Sequence, residues 1–523
     1  MKKKFLSVFI ASFLAFGYYS QQLNQITFFD GFNDPSQLKS FSKLGNDLIF
    51  IRNRNYQSPP TYEIYKSDGS QNGTFLFYTL PTNHNYAEDR FTEANNLLFF
   101  RTTAYFSGAS NCFLWKTNGF GISTQMIGEF STKTFCSNLC ELDGKIYFLT
   151  KYLDPVWGNL TYELWQSDGT ANGTIVIKDW INSSNFNPST NNHDLRKFNN
   201  RIYFSGFESD GSSNGTVFTG FILPEMGCVY NGLIYYSGSD GKIWKSDGTT
   251  AGTIQAIDFP SSNYFFEFNG WLYFAGGQSG AGQTGIELCK TDGTLANTVL
   301  IKDIYLGFNS SIPNEFITSN GMLHFWANDG IHGKELWKTD GTTSGTTLVK
   351  DADLDYVSQK IIHNNNLFFL EHKYNSHQLW KSDGTETNTL IIQAADSSIF
   401  YSLIDINCKL FVCFADVQWS NDNYQQNPNL WSLVENCQSA ETIEIEENNF
   451  LRVSPNPTSD KISIKMNDTF IKQKYFIYDQ FGRIILKSRF DAIENEVDLS
   501  EFQSGIYFLK VEGDKETIKI VKN

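Results

Sequence analysis

The chain predicts an all-β protein, a β-propeller followed by a small immunoglobulin-like β-sandwich, and three observations carry that prediction. The octapeptide ELWQSDGT at 163–170 returns as KIWKSDGT (242–249), ELCKTDGT (287–294), ELWKTDGT (335–342) and QLWKSDGT (378–385). Self-similarity at a period of about 20–50 residues marks solenoids and propellers. Aromatic residues make up 16% of the 523 residues, with 46 Phe, 25 Tyr and 11 Trp, and such side chains suit pleated, half-buried surfaces. Residues 450–523 then change character: they carry no repeat, no Trp and no Cys.

Taken in order, residues 1–20 read as a signal peptide: Lys2, Lys3 and Lys4 precede an apolar run from Phe5 to Phe16, then small or polar residues around Gly17 and Ser20. The run is too short for a membrane-spanning helix, which needs about 20 apolar residues, and no later segment reaches that length without charges. Residues 21–437 form the propeller. A full unit runs FITSNG (316–321), MLHFWA (322–327), NDGIHG (328–333), KELWKTDG (334–341) and GTTLVKD (345–351), short strands separated by Gly, Asn and Asp clusters. One such sheet cannot bury both faces, so neighbours stack radially. Degenerate copies occur at EIYKSDGS (63–70) and FLWKTNGF (113–120), and NLW (429–431) ends the series without its turn.

Counting second strands gives nine units, from Leu48–Phe50 to Leu410–Val412. Eight blades follow instead if the fourth unit, where FESDGSSNGTVFTG (207–220) has lost a clear ELW strand, merges with a neighbour. QITFFDGF (25–32) resembles the last strand of a unit, while the final unit lacks that strand. The N-terminal strand is therefore expected to close the ring and remove an open edge.

Within the octapeptide, Asp168, Asp247, Asp292, Asp340 and Asp383 each precede Gly and Thr. A carboxylate there can accept backbone N–H groups, Gly supplies a positive φ, and Thr can cap the next strand. One such residue per blade cannot converge on a single site, so the expected role is a hairpin staple. The alternative is one calcium per blade, with Asn328 and Asp329 beside the turn, although hard cations want six to eight oxygens. Trp115, Trp165, Trp244, Trp337, Trp380 and Trp431 recur at one position, which points to packing between blades. Trp157, Trp180, Trp271 and Trp326 are irregular and stand as better candidates for ligand contact than the recurrent Trp, with core packing the preferred reading for each.

The octapeptide resembles the ELWxxDGT repeat family over about 22–437. That resemblance implies a propeller and export and adds no reaction. SAETIEIEENN (439–449) has the composition of an acidic linker, placed at 438–449. Residues 450–523 show seven strand patterns separated by turns, as a small β-sandwich requires. SPNPTSDKISI (454–464), IYDQFGRII (477–485), VDLSEFQSGIYFLKV (497–511) and TIKIVKN (517–523) resemble the type A C-terminal sorting domain of the type IX secretion system. Pro455, Asn456, Pro457, Asp460, Gly482, Gly505 and Tyr507 stand at its matching positions. The resemblance implies periplasmic passage, recognition by the outer-membrane translocon, and release or attachment at the cell surface.

A net charge of −15 repels phosphate backbones, which argues against nucleic acid as a partner. Eight Cys permit disulfides; Cys136 with Cys140 and Cys408 with Cys413 are the close pairs, and neither has metal-site spacing. The seven His are scattered, and no nucleophile elbow, metalloprotease helix or phosphate loop occurs. No catalytic, cofactor or metal residue is therefore assigned. The expected function is a cell-surface or secreted propeller binding a glycan or surface protein through loops at one mouth. Those loops are the ones that differ between units: 151–160, 276–285, 416–428 and the irregular fourth unit. The competing expectations are a glycan-acting hydrolase, whose carboxylates would come from separate blades, and a structural adhesin or spacer.

Overall fold

The computed structural model describes residues 23–27, 37–54, 61–434 and 451–522, apart from short internal loop segments, the longest being 181–193 and 278–283. The chain divides into two compact units, 1–436 and 437–523.

In the first unit the described residues form nine antiparallel sheets of the same design, which we call blades 1 to 9 in chain order. Blade 7 shows the plan: Asn314–Ser319, Met322–Asn328, Lys334–Thr339 and Thr347–Lys350, each strand paired with the next. First and second strands are joined by two-residue turns. Asn-Gly, Asp-Gly and Asn-Asn pairs, such as Asn320-Gly321 and Asn95-Asn96, hold positive φ at both positions, the geometry whose twist matches the flanking strands. In blades 3, 5, 6, 7 and 8 the pairing of third with fourth strand slips at the residue before the repeat's Trp or Cys, as at Leu336/Trp337. That bulge twists the outer strand away from its neighbour.

The fourth unit is a complete blade, not a merged one. Phe207–Ser209 replaces the ELW strand and pairs with both Arg201–Phe204 and Val217–Phe218. Blade 9 takes Ser398–Ile406, Lys409–Ser420 and Asn423–Val434, and its outer strand is Asn24–Gln25 from the other end of the unit. Ile26 N–H donates to Leu430 O at 2.8 Å, and Leu430 N–H donates to Thr27 Oγ1 at 2.9 Å. A clasp is thus present at residues 24–27, at the start of the segment 25–32 expected from the sequence, whose residues 28–32 lie outside the described residues.

Between consecutive blades lies one apolar cluster, which explains why the sheets stack. Ile51 and Ile64 of blade 1 meet Leu98, Phe100 and Trp115 of blade 2, and the pattern repeats around the unit. Phe411, Cys413 and Leu430 of blade 9 then meet Leu48 and Phe50 of blade 1. Each fully buried Leu or Phe in these layers contributes about 1.5–3 kcal/mol. The ring therefore closes on nine interfaces of similar chemistry.

The second unit is a two-sheet sandwich. Leu451–Ser454, Lys461–Met466 and Glu494–Asp498 form one sheet; Ile484–Arg489, Lys474–Asp479, Gly505–Val511 and Thr517–Lys522 form the other. Ile464, Ile477, Phe490, Leu499, Leu509 and Ile520 fill the space between them.

Candidate functional site

Two ends of the propeller differ in kind. One end carries the tight first-to-second turns and the third-to-fourth turns of the octapeptide. The other carries the second-to-third loops and the connections between blades.

At the first end every octapeptide turn is built alike. Asp168 Oδ1 accepts the Thr170 N–H at 2.8 Å and the Thr170 hydroxyl at 2.7 Å, and the Thr170 Oγ1 accepts the Gly173 N–H at 2.9 Å. Ser167 and Thr174 hydroxyls, one at each strand end, lie 2.8 Å apart. Asp247, Asp292, Asp340 and Asp383 repeat the carboxylate contacts with Thr249, Thr294, Thr342 and Thr385. Hydrogen bonds from those hydroxyls hold Asp168, Asp247, Asp292 and Asp340 below the usual carboxylate range; burial opposes the same shift at Asp383. The five carboxylates stand one to a blade and are not brought together. Asp68 and Asp210 make the same turn in the degenerate units, and Asn118 takes the Ser123 hydroxyl in blade 2.

The turn glycine has a second duty that the sequence did not disclose. Gly341 has φ +94°, and a Cβ there would collide with the Tyr273 hydroxyl of the preceding blade. Gly169, Gly211, Gly248 and Gly293 lie in the same way against Phe99, Tyr147, Tyr203 and Tyr235, and Gly69 against Phe411 across the ring closure. Each turn therefore also packs its blade on the previous one.

Trp115, Trp165, Trp380 and Trp431 stack on the second strand of their own blade and pack in the cluster shared with the blade before. Trp165 lies 6.1 Å from Phe148 at 5° and Trp380 5.8 Å from Phe369 at 4°; Trp115 and Trp337 belong to the clusters shared with blades 1 and 6. Of the irregular aromatics, Trp326 is fully buried and Trp180 nearly so, both inside clusters. They are core residues, because their strands place them between blades. Trp271 is half-buried beneath Lys290 Nζ, 4.7 Å from its ring centroid, and Trp157 lies outside the described residues. Neither close cysteine pair is bridged: Cys136, Cys140 and Cys413 are free thiols, while Cys408 is disulfide-bonded. Cys289, in place of a Trp, is buried, and burial pushes its thiol well up.

At the second end lie the segments that vary between units. The 151–160, 276–285 and 416–428 segments all belong to second-to-third loops, of blades 3, 6 and 9, so sheet topology brings them to one mouth. Beneath this mouth sits a set of buried carboxylates that sequence reading passed over. Glu63, Glu163, Glu287 and Glu335 are the Glu of the repeat, and all four are buried. Glu163 takes Lys133 Nζ at 2.7 Å and Trp165 Nε1–H at 3.0 Å. In blade 8 Gln378 stands at that place, and its cross-strand partner Glu371 supplies the carboxylate to Trp380 Nε1–H at 2.8 Å.

Glu287 anchors the connection from blade 6 to blade 7. It accepts Ile304 N–H and Ser311 N–H, each at 2.9 Å, and the Ser311 hydroxyl at 2.5 Å. Burial pushes this carboxyl up to about 7 against those three donors. The Asn328 N–H donates to Ser311 O at 3.0 Å, and Tyr305 occupies the space where Gly330 lacks a Cβ. Thus fastened, the connection and the neighbouring blade 7 loop expose Leu306 and Phe308 at 79% each and Ile331 at 76%. Three large apolar side chains thus stand exposed at this end of the ring.

In the second unit, Tyr507 is buried, its hydroxyl donates to Gln503 O at 2.7 Å, and its ring packs 5.4 Å from Phe502. Asp460 is exposed and its carbonyl accepts Leu499 N–H at 2.6 Å; Gly505 opens the strand that carries Tyr507. Pro455, Asn456, Pro457 and Gly482 lie outside the described residues, as do the 1–20 and 438–449 segments.

Residues 452–523 match the secretion system C-terminal sorting domain. The chain is therefore exported by type IX secretion, to the cell surface or the medium. Upstream of the sorting domain, no helix of the described residues is long and apolar enough to cross a membrane. Among solved structures, the chain is similar to the computationally designed Ika8 protein, at 9% identity over 79% of this chain and 100% of that one, TM-score 0.34. It is also similar to PorZ, a surface component of the type IX secretion system of Porphyromonas gingivalis, at 10% identity over 93% and 82%, TM-score 0.30. The β-propeller domain of the Trilobed protease from Pyrococcus furiosus aligns at 10% identity over 68% and 98%, TM-score 0.31. No curated protein sequence matches the chain.

Proposed function

We propose that the protein is a non-enzymatic propeller, delivered by its sorting domain, that binds a surface protein through the mouth at blades 6 and 7. The observation that carries this reading is the exposure of Leu306 and Phe308 on a connection anchored by Glu287, with Ile331 exposed on the neighbouring blade 7 loop. Two aliphatic side chains beside a single Phe suit an apolar protein partner better than a sugar, which favours flat aromatic platforms with polar neighbours. The Asp turns serve as hairpin staples in this reading, and their seven copies support placing the propeller in the ELWxxDGT repeat family. Recognition of 450–523 by the translocon belongs to the same proposal.

The test is binding of labelled, purified full-length protein to intact cells of the producing bacterium. Binding should fall at least tenfold in the Leu306→Asp/Phe308→Asp/Ile331→Asp variant, and after protease treatment of the cells. Binding that survives protease and disappears after periodate oxidation would transfer the site to a glycan. Turnover of a glycan substrate, abolished by one carboxylate change, would overturn the non-enzymatic reading.

A further inference from the structure

Two imidazoles that sequence spacing kept apart meet in blade 8. His372 ends the strand Asn366–His372 and His377 begins His377–Ser382, and the two stand directly opposite in register. Their Nδ1 atoms are 2.6 Å apart, with ring centroids at 4.6 Å and planes at 75°. His372 Nε2 lies 2.5 Å from Ser358 Oγ, at the bulge between Val357 and Gln359 in the first strand. Tyr356, the register partner of His372 on that strand, flanks the ring at 6.0 Å.

A neutral imidazole carries one N–H and one lone pair. With Ser358 Oγ accepting the Nε2–H of His372, its Nδ1 is a bare lone pair aimed at the Nδ1 of His377. The His377 Nδ1 meets it either as an N–H donor or, with its proton on Nε2, as a second lone pair, and two lone pairs at this separation take a metal cation between them. Hydrogen bonding of the far ring nitrogen is also how protein sites orient a metal-binding histidine.

We propose that His372 and His377 bind one borderline-soft divalent cation of the Zn, Ni or Cu class through their Nδ1 atoms, with Ser358 positioning the His372 ring. Imidazole selects these ions over calcium and magnesium, which take oxygen ligands. Tetrahedral coordination at about 2.0–2.1 Å sets ligand nitrogens about 3.3 Å apart, so loading turns the rings apart by less than about 1 Å. Among the described residues no group of three or more His, Cys, Asp or Glu could hold a metal ion. The described residues therefore supply two nitrogens, and water would fill the remaining positions. The pair sits at the same end of the ring as the blade 6 and 7 surface, yet the inference stands without that reading.

The experiment is calorimetric titration of untagged full-length protein with Zn2+ and Ni2+, together with thermal unfolding in each metal. One equivalent should bind, and the unfolding midpoint should rise. His377→Ala and His372→Asn should weaken binding at least tenfold and abolish the midpoint rise, while their metal-free midpoints report that they fold. Ser358→Ala should weaken binding by about tenfold, the size expected of a supporting hydrogen bond. His332→Ala should bind as the unaltered protein does. Absence of binding in the unaltered protein, or binding retained in both histidine variants, would leave a shared proton only and overturn the proposal.

Discussion

Gly341→Ala separates the two duties of the octapeptide turn. Gly341 stands at φ +94°, and its added Cβ would meet the Tyr273 hydroxyl of blade 6; Tyr273 is 1% exposed within the blade 6 to 7 cluster. The left-handed backbone costs a non-glycine residue about 1–2 kcal/mol. Overpacking a buried ring adds about 1–3 kcal/mol, for a total of about 2–5 kcal/mol. Gly321 is the internal control, since its φ is +70° and nothing lies within 4 Å of its built Cβ. Gly321→Ala should therefore cost only the backbone share. Unfolding entropy of about 2.1 cal/mol/K per residue over about 400 residues makes 1 kcal/mol equivalent to about 1 °C in midpoint. Scanning calorimetry of the full chain should show a fall of about 1–2 °C for Gly321→Ala and about 2–5 °C for Gly341→Ala. Adding Tyr273→Phe removes the colliding hydroxyl and should return Gly341→Ala to the Gly321→Ala level. Equal shifts for the two glycines, or no recovery with Tyr273→Phe, would refute the claim that the turn glycine packs one blade on another.

His324 takes the place of the ring packed on a turn glycine in blade 7, and burial first, then Lys338, lowers its pKa from 6.5 to about 4. The unfolded chain binds a proton that the folded chain refuses, so stability holds above pH 6.5 and declines as pH falls from 6.5 to 4, by up to about 3 kcal/mol. His324→Phe, the residue found at Phe99 and Phe411, should remove that share of the decline in pH-dependent unfolding. Deletion of 21–27 takes away the strand Asn24–Gln25 and leaves Asn423–Val434 as an open edge, so size-exclusion chromatography should show self-association; a monomer of unchanged stability would count against the clasp. Deletion of 450–523 should leave the propeller in the periplasm on cell fractionation, and normal surface delivery of the shortened chain would refute dependence on the sorting domain.

The second strands, the ring closure and the seven strands of the sorting domain were legible because each rests on local pattern: alternation, turn residues and a repeating octapeptide. Asp168 and its counterparts could be placed in turns for the same reason, since their hydrogen bonds run to residues two positions on. The buried carboxylates escaped notice because Glu287 matters through Ile304 and Ser311, partners 17 and 24 residues away, and no motif links them. Core packing was the preferred reading of Trp180 and Trp326, and their clusters between blades bear it out.

From the sequence by itself came the fold class, the export route and the unit that repeats, because backbone geometry and hydrophobic alternation act over a few residues. Tertiary structure decided that the described residues form nine blades, since a short strand at Phe207–Ser209 can be recognised only by its pairing. It also decided which glycine meets which ring, which glutamates lie buried beneath the mouth, and that His372 and His377 face each other. Those facts depend on packing between strands and blades, where distance in space replaces distance along the chain.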